Sequence, residues 1–322
     1  MPHIPSRLVV AGTAAALAVG LITPTTAEAA AKPVTRAAGL EWVALGDSYT
    51  AGVIQATGDE FETPRDGCAR TTGSYPEVIR RDLGPLVDLR NVSCSGATTG
   101  SVYATELSPL GRPLPPYGTD PDAPFPPVPP QIDAVSQSTD LITVGIGGND
   151  LGFAQILEDC VTLGAGTGNT GTPCKDKYDT QLPGRLNQLR SGYDQMLTAL
   201  HAKAPSAKVV TVGYPHLVPE DANRCRYGDP LQFATFTTGD LAWARAAILE
   251  PLNAVIQQDT AAHRDTFVDL YPASAGHSAC DPDHWLDGLL TSILPLEYAL
   301  VHPNAKGQAF AAARVETVIL GD

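Results

Sequence analysis

The sequence predicts an α/β fold in which a mostly parallel sheet is covered by helices on both sides. Two observations lead to this prediction. Short runs rich in valine, leucine and isoleucine each end in glycine, proline or a polar residue, as strands buried on both faces do. Segments with helical spacing lie between these runs, and strands that alternate with helices are typical of parallel sheets.

Five runs are candidates for the strands of this sheet. They are EWVALGD (41–47), LVDLRNVS (86–93), DLITVGIGG (140–148), AKVVTVGYP (207–215) and TFVDLYP (266–272). The second run has a less regular apolar pattern than the other four. Because each run is short and most are apolar throughout, we expect both faces of the sheet to be buried.

Helices are predicted where apolar or alanine-rich positions recur at helical spacing. One set of such positions comprises Leu182, Leu186, Leu189, Tyr193, Met196, Leu197 and Leu200. Residues 236–263 are alanine-rich and helical in character, and a last helix is expected over 305–318. Residues 109–130 are too rich in proline for a helix or a central strand and predict a surface loop. The glycine- and threonine-rich stretch 164–174 is also expected to be a loop, held by its cysteine.

The N-terminus resembles a segment that directs export. One arginine precedes an apolar run of about 15 residues, and Ala-Glu-Ala at 27–29 fits a cleavage site. A membrane anchor is the alternative, but a spanning helix needs about 20 apolar residues. We therefore expect residues 1–30 to be a signal peptide, 31–40 the tail of the mature chain and 41–322 one domain. The mature protein is expected to be secreted, extracellular and monomeric, with no stable membrane insertion.

Charge and cysteine content narrow the function classes. The formal net charge is −14, which has the wrong sign for nucleic acid as a partner. Six cysteines in an exported chain indicate three disulfides. Sequence alone leaves the connectivity open, and the spacing favours Cys68–Cys94, Cys160–Cys174 and Cys225–Cys280. Zinc ligation is the alternative, but no Cys-x-x-Cys pair occurs in the chain.

Candidate catalytic residues follow the predicted strands, where ligands bind in open α/β sheets. Ser48 follows the first strand in GDSY, Gly96 the second in SCSGATTG and Asn149 the third in GIGGND, while His302 precedes the last helix in VHPNAKGQ. A hydroxyl nucleophile, a base and oxyanion donors are the parts of an acyl-transfer site. Each part alone has an ordinary structural explanation, such as a helix cap for Ser48. Their occurrence together, in this order, favours the catalytic interpretation.

The four blocks together resemble the GDSL family of esterases and lipases, also called SGNH hydrolases. They are GDSYTAG, SGATTG, GIGGND and HPNAKGQ, and they extend from about Trp42 to the last helix. The six cysteines, the export segment and FVDLYPASAGHSAC (267–280) resemble the secreted actinobacterial branch. The resemblance implies a flavodoxin-like three-layer α/β/α sandwich. The lipase elbow Gly-x-Ser-x-Gly is absent, because Thr50 replaces its second glycine.

The resemblance also implies roles for individual residues. Ser48 would attack the ester carbonyl with His302 as general base, and the oxyanion would be held by the backbone N–H groups of Ser48 and Gly96 and the side-chain amide of Asn149. No cofactor or metal is implied. The expected substrate is a carboxylic ester, either a lipid or a short acyl ester. A carbohydrate acetyl-esterase and a binding protein with a vestigial site are the alternatives.

One element of the family pattern is missing. The aspartate that usually stands three residues before the histidine is replaced by Ala299. We expect the backbone carbonyl of Ala299 to orient the His302 imidazole, as is understood for some secreted actinobacterial members. A carboxylate of Glu297, Asp283 or Asp287 is the alternative.

Three further groups of side chains are expected to be structural. The cluster of Asp281, Asp283 and His284 could suggest a metal site, but a solvated loop closed by a disulfide is the better interpretation. His216 and His277 follow predicted strands without a supporting motif, and we expect both to be structural.

Overall fold

The computed structural model describes residues 39–115 and 118–321, which belong to one compact unit. The expected signal peptide, residues 1–30, and most of the expected tail lie outside the described residues. The strands are β1 (Leu40–Gly46), β2 (Val87–Asn91), β3 (Leu141–Gly145), β4 (Lys208–Val212), β5 (Thr266–Val268), β6 (Leu290–Ser292) and β7 (Glu297–Tyr298). No helix in the described part of the chain is long and apolar enough to cross a membrane.

Helices account for most of the remaining regular structure. The α-helices are α1 (Ser48–Ala51), α2 (Tyr75–Leu83), α3 (Thr99–Tyr103), α4 (Phe153–Gly164), α5 (Pro173–Tyr178), α6 (Leu182–Lys203), α7 (Thr238–Ala244), α8 (Glu250–His263) and α9 (Ala305–Leu320). Short 3-10 turns occur at Gln55–Thr57, Gly84–Leu86, Gln131–Ala134, Ala222–Arg224 and Pro272–Ser274. In the described parts of 109–130 there is no helix or strand, as expected of a proline-rich loop.

The five predicted strands form one parallel sheet in the order β2-β1-β3-β4-β5. This is the flavodoxin-like order, in which ligands bind where the strand order reverses, next to β1 and β3. All five residues of β3 are buried, which explains why its sequence is apolar without alternation. The predicted α/β fold with a mostly parallel sheet is confirmed.

Two apolar cores on opposite faces of the sheet make the three layers. Val43 and Leu45 of β1 belong to the core beneath α3, α6 and α8, whereas Trp42 and Ala44 point into the core beneath α2 and α9. Successive side chains of a strand point to opposite faces, so one strand supplies both cores. The structure is therefore an α/β/α sandwich.

The structure differs from the sequence prediction where chain geometry breaks a pattern. The run 140–148 stops pairing after Gly145, because Gly147 adopts a φ of 128° and the chain turns away from the sheet. The alanine-rich stretch 236–263 is divided by a π-helical turn at Arg245–Leu249. Pro251 follows this turn and cannot donate to the carbonyl four residues earlier, so a wider turn accommodates it.

The cysteines form the pairs Cys68–Cys94, Cys160–Cys174 and Cys225–Cys280. Cys94 lies two residues before Gly96, so the first disulfide anchors the loop that follows β2. Cys174 holds the end of the loop 164–174, where α5 begins.

Candidate active site

Ser48 lies at the turn between β1 and α1, and its hydroxyl is not used as a helix cap. Asp47 is the N-cap, and its Oδ1 accepts from the backbone N–H of Tyr49 at 2.9 Å. Gly46 makes the turn tight: with a φ of 150°, a Cβ there would lie 2.3 Å from Thr50 Oγ1. Ser48 is the first residue of the helix, with its hydroxyl available to another group.

That group is the imidazole of His302. Its Nε2 lies 2.7 Å from Ser48 Oγ, and its Nδ1 lies 2.8 Å from the carbonyl oxygen of Ala299. Because a carbonyl only accepts, Nδ1 carries the proton and Nε2 accepts from the serine hydroxyl. Burial lowers the pKa of His302 to about 4, although the backbone carbonyls of Ala299 and Leu300 raise it in part. The imidazole is therefore neutral at pH 7 and able to take a proton.

The chain before His302 is bent into a conformation that side chains rarely adopt. Leu300 and Val301 have φ values of 50° and 61°, and positive φ is unfavourable for a β-branched residue such as valine. Three backbone bonds hold the bend: the N–H groups of Ala299 and Leu300 donate to Leu289 at 3.0 and 3.1 Å, and that of Val301 donates to Gly288 at 2.7 Å. Such backbone strain persists only where many surrounding contacts hold the strained residues in place, and strained residues cluster at functional sites.

Tyr49, the residue after Ser48, contacts the bend at Val301. The Tyr49 hydroxyl donates to the Val301 carbonyl at 2.6 Å, and its ring centroid lies 5.0 Å from that of His302. Ser48 and His302 are 254 positions apart in the chain, and Tyr49 connects the same two segments. The strained bend and α1 therefore fix the Ser48–His302 distance together.

Gly96 and Asn149 lie on the loops that follow β2 and β3, the two neighbours of β1. The Asn149 Nδ2 donates to the carbonyl of Ala97 at 2.9 Å, which leaves its second amide hydrogen for another acceptor. The Asp150 carboxylate accepts from the N–H of Thr99 at 3.0 Å and from its hydroxyl at 2.6 Å. These bonds join the two loops into one unit.

A sequence model of the GDSL-like lipase/acylhydrolase family matches residues 44–310, which is most of the chain. The chain belongs to this family. Membership makes it a carboxylic ester hydrolase, and the resemblance found in the four sequence blocks is confirmed.

Relatives of this GDSL-like hydrolase agree with that assignment. Lipase 2 of Streptomyces coelicolor is 32% identical, and the alignment covers 99% of each chain. The crystal structure of phospholipase A1 from Streptomyces albidoflavus NA297 matches with a TM-score of 0.64 and 27% identity, over 87% of this chain and 99% of that one. An extracellular lipase from Streptomyces rimosus matches with a TM-score of 0.61 and 26% identity, over the same shares.

The GDSL-like hydrolase also contains a buried network that no sequence motif indicates. The Tyr214 hydroxyl donates to Asp47 Oδ2 at 2.5 Å and accepts from the N–H of Gly148 at 2.9 Å. Burial raises the pKa of Asp47 to about 7, while hydrogen bonds from Tyr214 and from the Tyr49 N–H lower it in part. Tyr214 therefore connects the residue before Ser48 to the residue before Asn149.

Two of the three alternative carboxylates have partners other than His302, and the third lies in a short strand. Asp283 pairs with Lys306 Nζ at 2.7 Å. Asp287 accepts from Asn304 Nδ2 at 2.9 Å and from Thr291 Oγ1 at 2.8 Å, and Glu297 lies in β7. The bonding partners of both His302 ring nitrogens are Ser48 and Ala299.

The two other candidate histidines, His216 and His277, and the 280–285 loop have structural contacts. His216 stacks on Tyr271 with centroids 3.7 Å apart, and His277 stacks on Trp285 at 3.6 Å. The Asp281 carboxylate accepts from the Ser278 hydroxyl and pairs with the Arg224 guanidinium at 2.6 Å. Across residues 39–115 and 118–321, no three histidine, cysteine or acidic side chains are grouped so as to hold a metal ion.

Proposed function

We propose that this GDSL-like hydrolase is a secreted serine esterase or lipase in which Ser48 and His302 form a catalytic dyad. The observation that carries the proposal is the pair of hydrogen bonds on the His302 imidazole, one to Ser48 Oγ and one to the Ala299 carbonyl. A base within 2.6–3.2 Å of a hydroxyl, oriented by a third group, is the arrangement that activates a nucleophile.

The first half of the reaction forms an acyl-enzyme. Ser48 Oγ attacks the ester carbonyl carbon while His302 Nε2 takes the hydroxyl proton. When the tetrahedral intermediate collapses, the bond to the alcohol oxygen breaks and Nε2 delivers the proton to the leaving alcohol. In the second half, Nε2 takes a proton from water, the resulting hydroxide attacks the acyl carbon, and Ser48 Oγ leaves with the proton.

Stabilisation of the oxyanion is assigned to three donors. They are the backbone N–H groups of Ser48 and Gly96 and the free amide hydrogen of Asn149. The bond from Asn149 to Ala97 supports this role, because it sets the amide plane before substrate binds. Gly96 has a φ of 82° and no heavy atom within 4 Å of where a Cβ would be, so its surroundings leave room for a ligand.

Orientation of His302 is assigned to the Ala299 carbonyl. A carbonyl fixes the tautomer as a carboxylate would, but it stabilises the imidazolium less because it has no full charge. Burial lowers the pKa of His302 to about 4, and the hydrogen bond to the Ala299 carbonyl offsets only part of this lowering. The dyad can therefore work above pH 4, with a base that is weaker than an unperturbed histidine.

Secretion and an acyl-ester substrate are supported by different observations. The apolar N-terminal run and three disulfides are typical of exported chains, and one relative is described as an extracellular lipase. Relatives are named as lipases and as a phospholipase A1, so a lipid ester is the substrate we assign.

Covalent labelling tests the proposal. A serine-directed alkyl phosphonate should label the wild-type protein at Ser48, located by peptide mass spectrometry, and Ser48→Ala should abolish both labelling and ester turnover. Ser138→Ala removes an exposed hydroxyl and is the matched control, with labelling unchanged. An unlabelled wild-type protein, or Ser48→Ala with full turnover, would contradict the dyad. Esters of graded acyl length, assayed in parallel, then define the substrate preference.

A further inference from the structure

An exposed apolar hairpin tip leads directly into the catalytic segment. Strands β6 and β7 pair antiparallel, and residues 293–296, Ile-Leu-Pro-Leu, connect them. We call these four residues the apolar tip. Ile293 is 55% exposed and Leu294 is 92% exposed. Scattered exposed apolar residues are normal, but adjacent ones on a projecting turn are unfavourable in water and typical of binding surfaces.

The apolar tip is coupled to the dyad through the backbone. Strand β7 ends one residue before Ala299, whose carbonyl bonds His302. A strand rises about 3.3 Å per residue, so Leu294 lies within roughly 17 Å of Ala299 along the chain. Tip and catalytic bend therefore belong to one continuous segment.

Further apolar side chains continue from the base of the hairpin. Leu300, next to the bend, is 38% exposed, and Leu231 is 40% exposed. Leu231 is adjacent to Pro230, whose carbonyl accepts from the N–H of Leu290 at the start of β6. Exposed apolar side chains therefore occur at the tip, at the base of the hairpin and next to the bend before His302.

Charge indicates which surface the apolar tip fits. No charged residue occurs between Asp287 and Glu297, and the whole chain has a net charge of −14. An anionic lipid layer would repel such a protein, and the tip offers no cation to its headgroups. A neutral or zwitterionic lipid surface requires only apolar side chains that can enter its hydrocarbon, which the tip supplies.

We propose that the apolar tip inserts into neutral or zwitterionic ester-lipid surfaces and holds the Ser48–His302 dyad at the level of the ester bonds. Interfacial segments bury their apolar side chains about 5–10 Å into the boundary between headgroups and acyl chains, where the ester bonds of such lipids lie. The catalytic benefit rests on the proposed function, whereas the binding itself does not require the dyad. The contact is peripheral and reversible.

Vesicle binding tests the proposal separately from catalysis. Sedimentation with phosphatidylcholine vesicles should show binding by the wild-type protein and by Ser48→Ala alike. Leu294→Ser should weaken that binding roughly tenfold, and the double change with Ile293→Ser roughly a hundredfold, because each buried aliphatic side chain contributes about one to two powers of ten. Leu86→Ser is the matched control, because Leu86 is 62% exposed and lies before β2, at the opposite end of the sheet from the dyad.

Turnover of soluble and aggregated esters provides the second readout. Leu294→Ser should hydrolyse a dissolved short-chain ester at the wild-type rate and lose activity only on phosphatidylcholine vesicles. Wild-type protein that does not bind the vesicles, or equal binding by Leu294→Ser, would overturn the proposal. A wild-type dimer that Leu294→Ser dissociates would assign the tip to self-association and overturn it as well. Tip-dependent binding without any ester hydrolysis would instead overturn the proposed function alone.

Discussion

The hydroxyl of Tyr214 can be removed with little other change, which makes it a direct test of the buried network. Tyr214→Phe keeps the ring and its edge contact with Tyr49 at 5.1 Å between centroids. The substitution removes one donor to Asp47 and one acceptor from the Gly148 N–H, all in a buried environment. A hydrogen bond to a charged group contributes about 1.5–3 kcal/mol, and an unsatisfied buried N–H costs about 1–3 kcal/mol. The free energy of unfolding should therefore fall by about 2.5–6 kcal/mol.

The loss should depend on pH because Asp47 titrates. Burial raises the pKa of Asp47 to about 7 in the folded state. The folded state therefore binds more protons than the unfolded state between about pH 4 and 7. Ionising Asp47 costs stability, so the free energy of unfolding falls as the pH rises through that range. The Tyr214 bond opposes this rise. Without it the pKa of Asp47 rises further, so Tyr214→Phe should lose more stability at pH 8 than at pH 5.

Equilibrium urea unfolding at the two pH values measures this effect. Tyr103→Phe is the matched control, because its hydroxyl bonds Gln195 at the surface, and its change should stay within about 0.5 kcal/mol. We also expect kcat to fall about tenfold with little change in KM, since the N–H of Gly148, the residue before Asn149, loses its hydrogen-bond partner. A Tyr214→Phe protein as stable as wild type at both pH values would refute the reasoning.

Three further predictions concern the reaction. Asn149→Ala should lower kcat by about 10²–10³ through loss of one oxyanion donor; steady-state kinetics with unchanged kcat would remove Asn149 from that role. Glu297→Gln, Asp283→Asn and Asp287→Asn should each keep kcat within about tenfold, whereas a loss of ~10³–10⁴ in one of them would identify a carboxylate that orients the imidazole. The acid limb of kcat/KM should lie near pH 4, because the pKa of His302 is lowered to about 4 and activity requires the neutral imidazole; a limb near the unperturbed histidine pKa of about 6.5 would contradict a buried base.

Strands and strand ends are the features that the sequence predicts best. The apolar runs are short and buried on both faces, so their pattern is clear in the sequence, and parallel strands place their carboxyl ends at one edge. Sequence alone therefore predicts that Ser48, Gly96 and Asn149 lie in one region.

Features that depend on contacts distant in the chain could not be predicted. Tyr214 and Asp47 are 167 positions apart, and nothing in VGYP indicates that its tyrosine reaches the first loop. The positive φ values of Leu300 and Val301 were also unpredictable, because local preference argues against them for residues other than glycine. Tertiary hydrogen bonds impose both features, and local sequence does not encode such bonds.

The bend at Leu300 and Val301 explains how the family's histidine partner can be replaced by alanine. Ala299 is fully buried, and its side chain belongs to a small apolar cluster with Val53, Ile54 and Ala69. A carboxylate at this position would enter that cluster without a partner and would be strongly destabilised by desolvation. The bend instead turns the Ala299 carbonyl toward His302 Nδ1, at the cost of two residues with positive φ. Backbone strain at two positions thus takes the place of a buried charge, and the side chain at 299 can be apolar because the main chain makes the contact.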